Sequence, residues 1–160
     1  MKDIVIIGAG GFGREVAWLI EDINRYNKEW NIKGFVDDNP ELEGRLINGY
    51  EVIGNIEWLK SQELYVVSAI GDPITKKKIL HRLKNSKNNY PILIHPSAIY
   101  SDSVKFGEGS IICAGNILTV NISIGNHVIV NLDCTVGHDA LLGDYTTVLP
   151  SVNISGHVTA

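Results

Sequence analysis

One of the five histidines in the chain stands in a setting that could support proton transfer. His138 is preceded by Gly137 and followed by Asp139, within the run from Asn131 to Asp144. An imidazole changes charge near neutral pH, so it can take a proton from an attacking amine or hydroxyl. An adjacent carboxylate could orient the ring, or it could point away, since neighbouring residues of a strand face opposite sides. We therefore predict that His138 is a general base and that Asp139 is its partner.

The other four histidines lack such neighbours, and we assign them no catalytic role. His81 falls on a basic helix, His95 at a domain junction, His127 in a turn and His157 near the last residue. No second histidine or cysteine stands at ligand spacing from His138, so the sequence predicts no metal site.

A glycine-rich turn, Gly8 to Gly13, is the second candidate site. It follows the apolar run Ile4–Ile7, which is typical of a buried strand, and it precedes a helical pattern of apolar residues. Gly8 allows a tight turn, Gly10 lets the backbone approach a pyrophosphate, and Gly13 permits close helix packing. The helix N-terminus would favour a phosphate. A purely structural turn without a ligand is the alternative.

Acidic residues follow the next predicted strand, Ile32–Val36. The spacing from Gly13 to Asp37 is close to the roughly 20 residues expected before a ribose-binding carboxylate. Asp37 and Asp38 could instead form a solvated turn. A third strand is predicted at Tyr65–Ile70 and a helix at Thr75–Leu83. This portion is long enough for one mononucleotide-binding half only, which favours a nucleotide-sugar over NAD.

The second part of the chain repeats every six residues. Large apolar residues recur at this spacing without interruption from 106 to 154: Phe106, Ile112, Leu118, Ile124, Val130, Val136, Leu142, Val148 and Ile154. Hexapeptide repeats of this kind build a parallel β-helix in which three hexads make one coil. Gly156 stands three hexads after His138 and should therefore lie about 4.8 Å from it on the adjacent coil. Its N–H could stabilise an oxyanion.

Composition limits the classes of function. Lys and Arg number 14 against 18 Asp and Glu, giving a net charge of −4 that offers no wide basic surface for nucleic acid. No apolar stretch approaches the roughly 20 residues of a bilayer span. Two cysteines and a start without a signal-peptide pattern favour the reducing cytoplasm.

Taken in order, the motifs resemble a family of bacterial sugar acyltransferases. That family includes sialic acid O-acetyltransferase and the nucleotide-linked amino-sugar N-acetyltransferases. The resemblance covers the whole chain and rests on the motifs Gly8–Gly13, Val36-Asp37-Asp38, Ala69-Ile70-Gly71, His95-Pro96-Ser97-Ala98 and Asn131–Asp144.

The resemblance implies a Rossmann-like α/β domain at 1–95 that holds a nucleotide-sugar. A left-handed β-helix at 96–160 would follow and carry out acyl transfer. It also implies a homotrimer, with acetyl-CoA in the cleft between neighbouring subunits. Relatives continue through further coils, so the chain is expected to be a truncated form.

The resemblance assigns roles to individual residues. His138 would be the base, with Asp139 as its acid, Asn131 as a supporting residue and Gly156 as the oxyanion donor. Substrate contacts would come from Gly8, Gly10, Gly11, Phe12, Gly13, Asp37, Asp38, Gly71 and Asp72. Cofactor contacts would come from Thr147, Ser155 and Gly156, where Thr147 occupies a position that is histidine in some relatives.

The leading hypothesis is transfer of acetyl from acetyl-CoA to the amine of a nucleotide-linked 4-amino-deoxysugar in surface-glycan biosynthesis. O-acetylation of a sialic acid or another sugar is the close alternative. An NAD-dependent oxidoreductase, or a non-catalytic scaffold that binds a nucleotide-sugar, represents a different class. The identity of the nucleotide carrier stays open.

Overall fold

The computed structural model describes all 160 residues and divides them into two compact units, 1–91 and 92–160. The division comes four residues earlier than the predicted boundary, because Leu93–Ile94 already pairs with Ile111–Ile112 as the first strand of the repeat. None of the helices combines the length and the apolar character needed to span a bilayer.

A five-stranded sheet forms the centre of the first unit. Its strands are ordered β3-β4-β2-β1-β5, and all neighbours are parallel except the β3–β4 pair. Every side chain of Ile4–Ile7 is buried because β1 has a strand on each side and is covered on both faces. The strands are β1 (Lys2–Ile7), β2 (Trp30–Val36), β3 (Leu46–Ile47), β4 (Tyr50–Gly54) and β5 (Tyr65–Ser68).

Helix α1 (Gly11–Tyr26) connects β1 to β2 and α2 (Ile56–Leu59) connects β4 to β5, whereas α3 (Pro73–Arg82) follows β5; a short 3₁₀ helix lies at Pro40–Leu42. Helix α3 starts two residues before its predicted start, because the Asp72 side chain caps it by accepting the Thr75 N–H at 2.9 Å. Lys76 of α3 is fully buried, and this burial lowers its pKa to about 8, although the charge of Asp72 opposes the shift.

The second unit is a parallel β-helix of eleven two-residue strands. Every paired residue lies three hexads from its partner, as in Ile117 with Thr135, so the predicted coil length is confirmed. The strands form three sheets, which are the three faces of a prism. They comprise β6 (Leu93–Ile94), β9 (Ile111–Ile112), β12 (Ile129–Val130) and β15 (Thr147–Val148); β7 (Ile99–Tyr100), β10 (Ile117–Leu118), β13 (Thr135–Val136) and β16 (Asn153–Ile154); and β8 (Lys105–Phe106), β11 (Ser123–Ile124) and β14 (Leu141–Leu142).

The interior of this prism is filled by the residues that recur every six positions. Those from Ile112 to Val148 are buried, whereas Phe106 and Ile154 pack against the same core with partial exposure. The six-residue pattern therefore indicates which side chain of each two-residue strand faces the interior.

One residue in each hexad adopts a left-handed backbone conformation. These residues lie at turns between strands and have φ between +53° and +78°: Gly109, Gly115, Asn121, His127, Asp133, Asp139, Tyr145, Ser151 and His157. Glycine, Asn, Asp and His tolerate this region best, so the turns show a second, weaker period of six in the sequence. Asp139 and His157 consequently occupy equivalent corners of adjacent coils.

Candidate active site

The structure brings His138 and Asp139 into contact. His138 follows β13, and its Nδ1 lies 2.9 Å from Asp139 Oδ2. The alternation of a strand does not apply here, because Asp139 has a φ of +62° and directs its carboxylate towards the preceding side chain. A carboxylate only accepts hydrogen bonds, so a neutral ring carries its proton on Nδ1. The Nε2 lone pair is then available to accept a proton.

Gly156 lies against the His138 ring, as the coil length predicts. A Cβ placed on Gly156 would lie 2.6 Å from His138 Nε2 and 2.7 Å from Cε1, so any side chain here would displace the His138 ring. A backbone hydrogen bond next to Gly156 holds the two coils together here, since the His157 N–H donates to the His138 carbonyl at 2.9 Å. The Gly156 N–H donates no hydrogen bond within the chain. A free N–H donor therefore lies beside the basic nitrogen.

His157 joins this pair, which the sequence interpretation missed. Its Nε2 lies 3.7 Å from Asp139 Oδ2, and its ring meets that of His138 edge-to-face with centroids 5.1 Å apart. The sequence analysis found no second histidine at ligand spacing from His138 because it did not consider Asp139, which stands one full coil before His157. We call His138, Asp139 and His157 the corner cluster. Their side chains are 59%, 47% and 75% exposed, respectively.

Asn131 and Thr147 belong to a different face of the prism. The Asn131 side chain accepts the Leu132 N–H at 2.8 Å, and its backbone N–H donates to the Val148 carbonyl at 3.0 Å. Thr147 is in β15, opposite Ile129 of β12. Neither residue is brought to His138 within one chain, whereas the exposed Ser155 directly precedes Gly156.

The glycine turn of the first unit is tightly constrained. Gly8 has a φ of +100°, and a Cβ on it would lie 2.9 Å from Ile70 Cδ1. A Cβ on Gly13 would collide with the Gly8 carbonyl oxygen, which accounts for the close packing of α1 on the turn. At Gly10, by contrast, a Cβ would meet nothing within 4 Å. The backbone is therefore open where a phosphate would approach.

Asp37 and Asp38 are fixed by hydrogen bonds and are not merely a solvated turn. Asp37 accepts the Ala9 N–H at 3.0 Å, so it ties the end of β2 to the glycine turn. Asp38 accepts the Ile56 N–H at 3.0 Å and pairs with Arg82 at 2.8 Å. Partial burial by itself would raise the pKa of Asp38, but the two hydrogen bonds and the Arg82 charge hold it below its usual value.

A cavity of about 210 Å³ opens beside these two acids. Its walls are mainly apolar, with acidic groups at one end: Ile7, Gly8, Val36, Asp37, Asp38, Ile56, Ile70, Thr75 and Ile79. Ligand pockets for drug-sized molecules usually span about 300–1,000 Å³, so this cavity fits a nucleobase-sized group and not a whole dinucleotide.

The remaining predicted substrate residues lie elsewhere on the first unit. Gly11 and Phe12 line a separate open cavity of about 590 Å³ at the start of α1. Helix geometry leaves the N–H groups of the first turn of α1 without intrahelical acceptors, so they could bind phosphate oxygens. Gly71 is exposed, and Asp72 caps α3, where its hydrogen bonds with Thr75 lower its pKa.

Comparison with known proteins covers both units. The profile of the PglD N-terminal domain matches residues 3–83. GDP-perosamine N-acetyltransferase from Escherichia coli is 32% identical over 158 residues, which are 96% of this chain and 70% of that protein. UDP-N-acetylbacillosamine N-acetyltransferase from Bacillus subtilis is 30% identical over 118 residues, covering 71% of this chain and 52% of the relative.

Solved structures share the same architecture. A His-to-Asn variant of perosamine N-acetyltransferase from Caulobacter crescentus, in complex with CoA and GDP-perosamine, matches with a TM-score of 0.87. It is 28% identical, and the match covers 99% of this chain and 74% of that one. The acetyltransferase domain of PglB from Neisseria gonorrhoeae, in complex with acetyl coenzyme A, matches with a TM-score of 0.83 and 31% identity, over 95% and 72% of the two chains. These matches confirm the predicted fold class, an α/β domain with a parallel sheet followed by a left-handed β-helix.

Proposed function

Because the chain belongs to the bacterial nucleotide-amino-sugar acetyltransferase family, we propose that it moves acetyl from acetyl-CoA to the amine of a nucleotide-linked 4-amino-deoxysugar. The observation that carries this proposal is the His138–Asp139 pair, which leaves a basic nitrogen beside the unused Gly156 N–H. The named relatives are N-acetyltransferases, so an amine acceptor is preferred over a sugar hydroxyl.

The chemistry follows from these groups. His138 Nε2 takes a proton from the acceptor amine while the amine nitrogen attacks the thioester carbonyl carbon. The carbonyl oxygen becomes an oxyanion, and the Gly156 N–H donates a hydrogen bond to it. Collapse of the tetrahedral intermediate breaks the C–S bond, and the departing CoA sulfur receives the proton held by His138. Asp139 stabilises the imidazolium that exists between the two proton transfers.

Nucleotide binding is assigned to the first unit. The open backbone at Gly10 and the first-turn N–H groups of α1 suit a phosphate, and the cavity beside Asp37 and Asp38 suits a nucleobase. Nothing beyond one mononucleotide-binding half is present in the sheet, which argues against an NAD-dependent oxidoreductase.

We further propose a homotrimer in the cytoplasm, with acetyl-CoA contacted by Thr147, Ser155 and Gly156. Asn131 and Thr147 lie on another face of the prism from His138, so they would serve the site of a neighbouring subunit. Exposed apolar side chains on the β-helix support an interface: Ile99, Tyr100, Ile117, Val120, Leu141, Leu149, Val152 and Val158. Sedimentation equilibrium should give three times the chain mass of 17.6 kDa, and a monomer would contradict the trimer.

Release of CoA thiol from acetyl-CoA tests the reaction. GDP-linked and UDP-linked 4-amino sugars are offered in parallel with sialic acid, and mass spectrometry locates the new acetyl group on nitrogen or oxygen. We expect N-acetylation that His138→Ala abolishes, because His138 Nε2 is the basic nitrogen that lies against Gly156 and whose ring Asp139 orients. Turnover that survives in His138→Ala would remove this residue from the mechanism. A scaffold would instead bind the nucleotide-sugar and release no CoA, and an oxidoreductase would be stabilised by NAD in a thermal-shift assay.

A further inference from the structure

The corner cluster presents three metal-ligand groups at one exposed corner of the β-helix. One ligand atom from each of His138, Asp139 and His157 can be chosen so that all three lie within 4.8 Å of one another. Asp139 Oδ2 is the central atom, 2.9 Å from His138 Nδ1 and 3.7 Å from His157 Nε2. Tetrahedral Zn²⁺ binds nitrogen and oxygen at about 2.0–2.2 Å, which places neighbouring ligand atoms roughly 3.3 Å apart. The two observed distances lie on either side of that value.

The same three groups are easily adjusted to an ion. All are substantially exposed, so small rotations cost no packing and a water molecule can complete the coordination. The His157 side chain makes no hydrogen bond within the chain, and only its backbone N–H is used, by the His138 carbonyl. The contacts that orient the His157 ring are therefore those with the other two members of the cluster, the edge-to-face contact with His138 and the approach to Asp139.

We propose that the corner cluster binds a divalent first-row transition-metal ion of the Zn²⁺ type. The ligands are His138 Nδ1, the Asp139 carboxylate and His157 Nε2, with water in the fourth position. Two imidazoles and one carboxylate form a donor set that binds such ions in preference to Mg²⁺ or Ca²⁺.

The ion is an inhibitor and not a cofactor, a consequence that rests on the proposed function. A metal on Nδ1 needs that nitrogen's lone pair, so the single proton of the neutral ring moves to Nε2. The ring then has no lone pair with which to accept a proton from the amine. The Asp139 carboxylate is also diverted from His138 to the ion. Acetyl transfer therefore stops while nucleotide binding in the first unit continues.

Titration of the untagged, metal-free full chain tests the site directly. Zn²⁺ is followed by calorimetry and Co²⁺ by its visible absorption, and we expect one ion per chain. His157→Asn should weaken binding by about tenfold or more, since one of three ligands is lost. His81→Asn on α3 is the matched control and should bind as the parent does. Each protein is assayed relative to its own metal-free rate. Zn²⁺ should inhibit His157→Asn only at concentrations about tenfold or more above those that inhibit the parent, and a chelator should restore the parent's rate.

Two results would overturn the metal site. One is the absence of saturable binding at Zn²⁺ concentrations up to about 100 µM. The other is binding that is as tight in His157→Asn as in the parent. Neither measurement depends on turnover, so a metal-free chain that releases no CoA would count against the proposed function alone.

Discussion

Gly156→Ala should damage catalysis without unfolding the protein. The added methyl group would lie 2.6 Å from His138 Nε2, 2.7 Å from Cε1 and 3.0 Å from Cδ2. Ordinary van der Waals contact begins at about 3.5 Å, so the imidazole must move by close to 1 Å. The ring is more than half exposed and can move outwards, but this movement breaks the 2.9 Å hydrogen bond to Asp139.

A displacement of about 1 Å in a catalytic group costs on the order of 100-fold in rate, which corresponds to about 3 kcal/mol of transition-state stabilisation. We expect kcat for CoA release to fall by that factor, while KM for the nucleotide-sugar stays near the parent value because we propose that the first unit holds this ligand. Thermal unfolding should shift by no more than a few degrees.

Gly143→Ala is the matched control for this prediction. It makes the same substitution in the same β-helix, but the new Cβ would lie 3.2 Å from a single backbone oxygen, that of Ala160, and far less adjustment is needed. Its kcat should stay within about twofold of the parent. If Gly156→Ala also retains parental kcat, the placement of the His138 ring against this glycine is not important for catalysis.

Other contacts in the two units lead to four more predictions. Asp139→Asn should lower kcat by at least about 100-fold without loss of stability, because an amide can favour the His138 tautomer whose proton is on Nε2. An unchanged kcat would exclude a catalytic role for the His138–Asp139 pair. Cys113 and Cys134 are buried, and burial raises the pKa of the Cys134 thiol, so a thiol reagent should titrate two groups only after denaturation. Lys76→Met should raise the melting temperature at pH 7 by removing a desolvation penalty of at most about 3 kcal/mol. The pKa of Lys76 in the folded protein, about 8, lies below its ordinary value, so the desolvation penalty applies in full below pH 8 and disappears by about pH 10.5. A gain in melting temperature that does not change with pH would contradict this. Gly13→Ala should cost at least about 2 kcal/mol in urea unfolding because its methyl group collides with backbone, and a neutral result would refute the tight turn.

Sequence periodicity predicted the β-helix well because its core residues repeat at one fixed interval. The same arithmetic placed Gly156 beside His138, since every coil has the same length. It missed His157 because only His138 was extended by one coil length, and not Asp139 beside it. The orientation of Asp139 depends on a left-handed φ, which the notion of strand alternation does not include.

The structure of the proposed nucleotide site was predicted less completely. The glycines of the turn could be identified because each meets a distinct steric demand, and Gly13 now has an explicit clash partner. The Asp38–Arg82 pair could not be predicted, because it joins residues 44 positions apart that come together only when α3 packs on the sheet. Long-range pairs in an α/β unit follow no fixed interval, unlike those in the β-helix.

The constant coil length restricts which insertions and deletions this chain can tolerate in evolution. Each corner residue finds its vertical neighbour one coil away, as Asp139 finds His157, so gaining or losing one residue between them would rotate every later turn onto the wrong edge. Removal or duplication of a whole coil ahead of His138 would leave its contacts with Asp139, Gly156 and His157 unchanged. Length variation among related chains should therefore accumulate in whole coils, or as loops that bulge from a corner and return to the same phase.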